Sequence, residues 1–153
     1  GILHDRQNKA HKSEMSKHKF PPIDLIVVNF YPFQKLVMSN NNSKKIIEID
    51  PDYSNGGGYF MLGAVHFKSP YIPFILSWPS NDLAIKNLEK AYEIGDSTPS
   101  QTVYLAQALY KGGQKERAKS YLMELLKKPF SQSEKVEDFD QHQIAKSLLE
   151  EWE

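Results

Sequence analysis

The apolar positions of this chain change their spacing about a third of the way along. Residues 8–19 are polar and lysine-rich with Met15 as the only large apolar side chain, a pattern that predicts a short surface helix. Phe20-Pro21-Pro22 ends it, because proline lacks an amide donor and fixes φ. The run Ile23-Asp24-Leu25-Ile26-Val27-Val28-Asn29-Phe30 is nearly continuous and rich in β-branched residues, closed by Tyr31-Pro32-Phe33. That pattern predicts a strand buried on both faces of a parallel sheet. Asn40-Asn41-Asn42-Ser43 reads as a polar linker, and beyond it the apolar positions follow helical spacing to the end.

The helical part repeats. Ala84, Leu88 and Ala91 recur as Ala118, Leu122 and Leu125, each 34 residues on, which is the tetratricopeptide period. A small residue at a helix crossing allows close approach, and the large one that follows fills the groove. Tyr59, Leu62, Gly63 and His66 occupy the first-helix pattern of that repeat, with Leu105-Ala106 and Leu109 in the equivalent places of the next. Gly112-Gly113 is expected to turn between helices over Gln101–Lys111 and Gln114–Lys128, while Pro99 and Pro129 punctuate the repeat ends. A last amphipathic helix, Asp138 to Trp152, is expected to cap the stack through Ile144, Ala145, Leu148, Leu149 and Trp152. Leu62 and Leu105 lie 43 residues apart, so the first repeat carries nine extra residues, placed within Ser69–Ser80. Three prolines there bar a regular helix, and the apolar content predicts a packed loop.

Composition narrows the function classes. With 40% hydrophobic and 25% charged residues in a chain of 153, a packed core is expected. Lysine plus arginine equals aspartate plus glutamate at 19 each, which argues against phosphate-neutralising nucleic-acid binding. Cysteine is absent, which removes disulfides, thiolate catalysis and thiolate zinc sites. No apolar run approaches the roughly 20 residues that cross a bilayer. Because Gly1-Ile2-Leu3 reads like the middle of an element, a cut N-terminus is expected, and compartment is left open.

Gly1-Ile2-Leu3, then Arg6, then Pro22-Ile23-Asp24-Leu25-Ile26-Val27-Val28-Asn29-Phe30-Tyr31-Pro32-Phe33 resembles the IMP cyclohydrolase domain of the bifunctional purine-biosynthesis enzyme, which also carries AICAR formyltransferase activity. The resemblance covers about the first third of the chain. It implies a site role for Tyr31 and a catalytic aspartate at Asp50, in Ile49-Asp50. Pro51-Asp52 stands where the family reads Ile-Gly-Gly, and the segment with the family's catalytic lysine is absent. From about Lys44 onward the chain resembles the helical-repeat T component of TRAP transporters, on Ile47-Glu48-Ile49-Asp50-Pro51-Asp52-Tyr53, Gly56-Gly57, Leu62-Gly63 and the proline-rich insertion before Asn81-Asp82-Leu83-Ala84. The transporter resemblance implies a periplasmic location and a protein partner. The enzyme resemblance implies the cytoplasm.

Several motifs that suggest sharper sites fit plainer structural roles. Gly56-Gly57-Gly58 has no following Lys-Ser or Lys-Thr and no preceding strand, so it is read as a flexible helix start rather than a phosphate loop. His4, His11 and His18 recur every seven residues, whereas helical metal pairs need i,i+3 or i,i+4 spacing, so no metal site is expected. Glu134, Glu137, Asp138 and Asp140 are read as a solvated loop leading into the last helix. Phe60, Phe67, Tyr71, Phe74 and Trp78 suit a core or a ligand groove. Counting from Leu62 and Leu105, the inner face of the repeat places Gly57, Phe60, Ala64 and Phe67 beside Ser100, Val103, Gln107 and Tyr110, a small and partly aromatic surface for a peptide or a partner helix.

The expectation is therefore a mainly α protein: tetratricopeptide-like antiparallel helix pairs with a C-terminal capping helix, preceded by a short fragment of one helix and one strand. Residues 1–36 are the cyclohydrolase-like fragment, 37–46 a linker and 47–153 the repeat domain. The leading function is a non-catalytic protein-binding module whose partner is another protein or peptide, with no nucleic acid, no cofactor and no transmembrane segment. The alternative is an incomplete or divergent IMP cyclohydrolase closing the ring of formyl-AICAR ribotide. A third reading is a scaffold whose N-terminal strand augments a partner's sheet.

Overall fold

Local signals mark where each helix starts and stops. The structure, a computed structural model, describes residues 23–74, 76–131 and 133–153, with side chains from residue 34 onward. The described helices are α1 (Ile23–Ile49), α2 (Tyr53–Lys68), α3 (Asn81–Ile94), α4 (Pro99–Lys111), α5 (Lys115–Leu125) and α6 (Lys135–Glu151). The mainly α class is the one expected. Among the described residues, β pairing is confined to a single antiparallel bridge, Ile72 with Leu76. The surface helix over 8–19 and the histidines at 4, 11 and 18 lie outside the described residues.

The chain divides into two compact units, Gly1–Gln34 and Lys35–Glu153. In the first, the strand expected over Ile23–Phe30 is instead helix. An unbroken apolar run satisfies a helix as well as a strand. A lone strand would leave its amides and carbonyls unpaired, whereas a helix pairs its own. The sheet-augmenting reading loses its strand with this correction.

In the second unit, the stretch 37–46 expected as a linker forms part of the last turns of α1. The Ser43 hydroxyl donates to the Ser39 carbonyl at 2.8 Å, so its polarity is absorbed by the helix backbone. Asn40 and Ser43 are buried, and Ile46 and Ile47 lie against Gly58. Tertiary packing outweighs the weak helix propensity of asparagine and serine.

α2 and α3 run antiparallel, with Gly56 beside Ala91 and Ile94, and Gly63 beside Leu88. Ser80 caps α3 by accepting from the Leu83 amide. Thr98 and Gln101 form a reciprocal capping box at α4, and Pro99 takes the first helical turn, where its missing amide costs nothing. Asn81 Nδ2 donates to the Ala108 carbonyl at 2.9 Å, tying the start of α3 to the end of α4. α5 turns back on α4, and α6 packs on both. Ala84, Leu88 and Ala91, with Ala118, Leu122 and Leu125, are all buried, as their shared spacing predicts. The core continues through Leu105, Ala106, Leu109, Ala145 and Trp152. Each buried leucine contributes roughly 1.5–3 kcal/mol.

The loop 69–80 packs only in part: Leu76 is 1% exposed and Trp78 meets His66 edge to face at 5.2 Å, whereas Tyr71 and Phe74 are exposed. Two details of the C-terminal region differ from expectation. Ile144 is 40% exposed, because the buried stripe of α6 passes through His142, Ala145 and Trp152. The acidic stretch is solvated at Glu134, Glu137 and Asp140, as expected, but it forms the start of α6 rather than a loop, and Asp138 is the exception to its exposure. Asp138 is buried and accepts from the Ser131 amide at 2.6 Å, and Glu137 accepts from the Ser100 hydroxyl at 2.9 Å.

Candidate functional site

α2 and α4 present their aromatic side chains to one another. Phe60 meets Tyr104 edge to face at 5.4 Å and 77°, and Phe67 meets the same ring at 6.2 Å and 70°. The Lys68 ammonium stands 5.0 Å from the Phe67 centroid and 5.1 Å from that of Tyr104. From α4, the Lys111 ammonium stands 5.4 Å from the Phe67 centroid. Further along α4, Tyr110 stacks flat on Trp152 at 4.0 Å and 7°, with the Lys115 ammonium 5.4 Å from the Tyr110 centroid. Cations over ring faces gain from the ring quadrupole, about 0.5–1 kcal/mol where exposed.

The sequence expectation placed eight residues on this surface, of which Gly57 is half-buried near the start of α2. Phe60, Phe67 and Tyr110 stand in the strip, half-buried, with half-buried Ala64 between the two phenylalanines on α2. Gln107 is half-buried on α4. Ser100 is engaged with Glu137. Val103 is 1% exposed and belongs to the core, because α4 is covered by α3, α5 and α6, so it offers a partner no surface. Tyr104, Lys68, Lys111, Lys115 and Trp152 were missed. The lysines left a legible trace: Lys68 and Lys111 each stand six residues beyond the equivalent leucines, Leu62 and Leu105.

The residues matched to the cyclohydrolase are placed differently. Tyr31 lies on α1, with its side chain outside those described. Asp50 is exposed just past the end of α1, where its carboxylate accepts from the Asp52 amide at 3.2 Å and its carbonyl from the Tyr53 amide at 3.2 Å. In that position it shapes the turn into α2.

His66 is a titratable group shifted by its surroundings. It is buried, and its Nδ1 accepts from the Ser80 amide at 3.3 Å, so its ring proton sits on Nε2. Burial, then the charge of Lys44, lowers its pKa from the ordinary 6.5. Among the described residues no group of three histidines, cysteines or carboxylates could hold a metal ion, and no described helix is long and apolar enough to cross a membrane.

No family model matches the chain. It is similar to several proteins described as bifunctional purine biosynthesis protein PurH. That of Bartonella bacilliformis is 35% identical over 91 residues, covering 59% of this chain and 16% of that protein. That of Roseobacter denitrificans is 32% identical over 111 residues, covering 72% of this chain and 20% of that protein. A shorter match, to the Macrococcus caseolyticus protein, is 51% identical over 37 residues. The chain spans about a fifth or less of the length of these curated relatives. The purine-enzyme resemblance read from the sequence is supported by them.

Proposed function

We propose that this chain is linked to purine biosynthesis as a divergent, cyclohydrolase-like protein. The observation that carries the reading is its similarity to proteins described as bifunctional purine biosynthesis protein PurH. The matches of Tyr31 and Asp50 to the cyclohydrolase pattern support it from the residues themselves. In the proposed reaction, closing the ring of formyl-AICAR ribotide, an amide nitrogen attacks the formyl carbon and water is lost. A tyrosine hydroxyl donating to the developing oxyanion stabilises that step. The test is conversion of formyl-AICAR ribotide to IMP by the full chain, followed by absorbance. The expected result is turnover above the uncatalysed rate that Tyr31→Phe abolishes. Turnover indistinguishable from background overturns catalysis by this chain.

A second reading, favoured by the aromatic and lysine strip across α2 and α4, is a protein-docking module in residues 47–153, of the kind the transporter T component resemblance implies. It assigns residues 1–36 no catalytic role. Here Phe60, Phe67 and Tyr110 anchor a peptide, with Ala64, Ser100 and Gln107 at its margins. Saturable peptide binding that Phe67→Ala weakens, with no cyclohydrolase turnover, supports this reading over the first.

A further inference from the structure

We propose that the strip across α2 and α4 docks an acidic peptide segment. This rests on the docking reading above and names the chemistry of the partner. Two ammonium groups, Lys68 from α2 and Lys111 from α4, converge on the single ring of Phe67 at 5.0 and 5.4 Å. Among the described residues neither has a carboxylate within 4.0 Å. The ion pairs there, Lys45 with Glu48, Lys90 with Glu93 and Arg117 with Glu89, lie elsewhere.

The chain has as many acids as bases, so this positive charge is a local excess rather than a property of the whole. Such a face attracts and orients anions while rejecting cations. Phe60 and Phe67 are packed edge to face on Tyr104, and ammonium groups stand over Phe67 and Tyr104. These rings are not open platforms for base stacking, so a peptide suits the strip better than single-stranded nucleic acid. Ala64 lies four residues after Phe60 and three before Phe67, on the same helical face. Half-buried Phe60, Ala64 and Phe67 supply the apolar part of this face. The fitting partner carries glutamate or aspartate beside a large apolar residue.

The experiment uses the full chain and fluorescence anisotropy with a short labelled peptide of alternating glutamate and phenylalanine. Peptides with glutamine or lysine in place of glutamate, and an equally labelled oligothymidylate, are measured beside it. The expected result is saturable binding of the glutamate peptide, about tenfold weaker binding of the glutamine peptide, and none of the lysine peptide. Added salt weakens the interaction. Lys68→Glu with Lys111→Glu, both exposed positions, lowers affinity by about tenfold or more while circular dichroism is unchanged. Equal binding of the glutamate and glutamine peptides, or indifference to the double charge reversal, overturns the acidic assignment and leaves docking standing. No saturable binding by any of the peptides overturns both. Tighter binding of oligothymidylate than of the glutamate peptide overturns the proposal in favour of nucleic acid.

Discussion

Gly63 lies so close to Leu88 that a Cβ added to it would stand 2.6 Å from Leu88 Cγ and 3.0 Å from the Leu88 backbone nitrogen. This contact sets how near α2 comes to α3. The equivalent place in the next helix pair, 43 residues on, is Ala106, also small and buried. Two opposed effects decide what Gly63→Ala does. The helix gains up to about 1 kcal/mol of intrinsic propensity. Overpacking costs roughly 1–3 kcal/mol, and Leu88, wholly buried, has little room to retreat. Packing is expected to win, with a net loss of about 1 kcal/mol in urea denaturation. A raised midpoint would show that Leu88 moves aside.

The second crossing makes a paired prediction on α5. Ala118 and Leu122 are both fully buried. Leu122→Ala leaves a cavity and is expected to cost about 2–5 kcal/mol. Ala118→Trp does the reverse, forcing a large side chain into a filled crossing at about 1–3 kcal/mol or more. An unchanged melting temperature in Ala118→Trp would refute the crossing role of that residue.

Those two helix pairs were legible because a 34-residue recurrence of small and large residues has few explanations besides stacked helices. The region before them was not. The run Ile23–Phe33 has neither alternation nor a polar face, so period alone does not separate strand from helix. The asparagine cluster 40–42 looked like a linker because propensity is a weak prior that packing overrides. In the candidate site, the shared face of Phe60 and Phe67 on α2 was legible from helical spacing. Val103 was misplaced because the sequence does not show how many neighbours cover α4. Tyr104 was missed because it stands one residue outside the positions assigned to the inner face.

The turn into α2 separates strain from crowding. Gly56 has φ +78°, and an added Cβ would stand 3.1 Å from the Ala91 Cα. Gly113 has a similar φ of +82° with nothing within 4 Å. Gly113→Ala therefore meets only the left-handed penalty of about 1–2 kcal/mol. Gly56→Ala meets that penalty and a backbone contact as well, and is expected to cost about 1–3 kcal/mol more. Equal losses in chemical denaturation of the two variants would mean that α3 yields at Ala91.

A further prediction concerns acid stability. His66 titrates below the ordinary 6.5 in the folded state, chiefly through burial and then through Lys44. The unfolded chain therefore takes up the proton more readily than the folded one. Above 6.5 the ring is neutral in both states and the full stability is present. As pH falls below 6.5 the unfolded state gains protons first, so stability declines. The decline ends once pH passes the folded-state value and both states are protonated. The neutral ring is also the form that accepts the Ser80 amide, so protonation breaks that bond between α2 and the start of α3. Urea midpoints measured from neutral to mildly acid pH should fall for the wild type. His66→Asn retains an acceptor near the position of Nδ1 but does not titrate, and should flatten that dependence. If the variant keeps the same slope, the proton uptake belongs to another group and the burial argument for His66 fails.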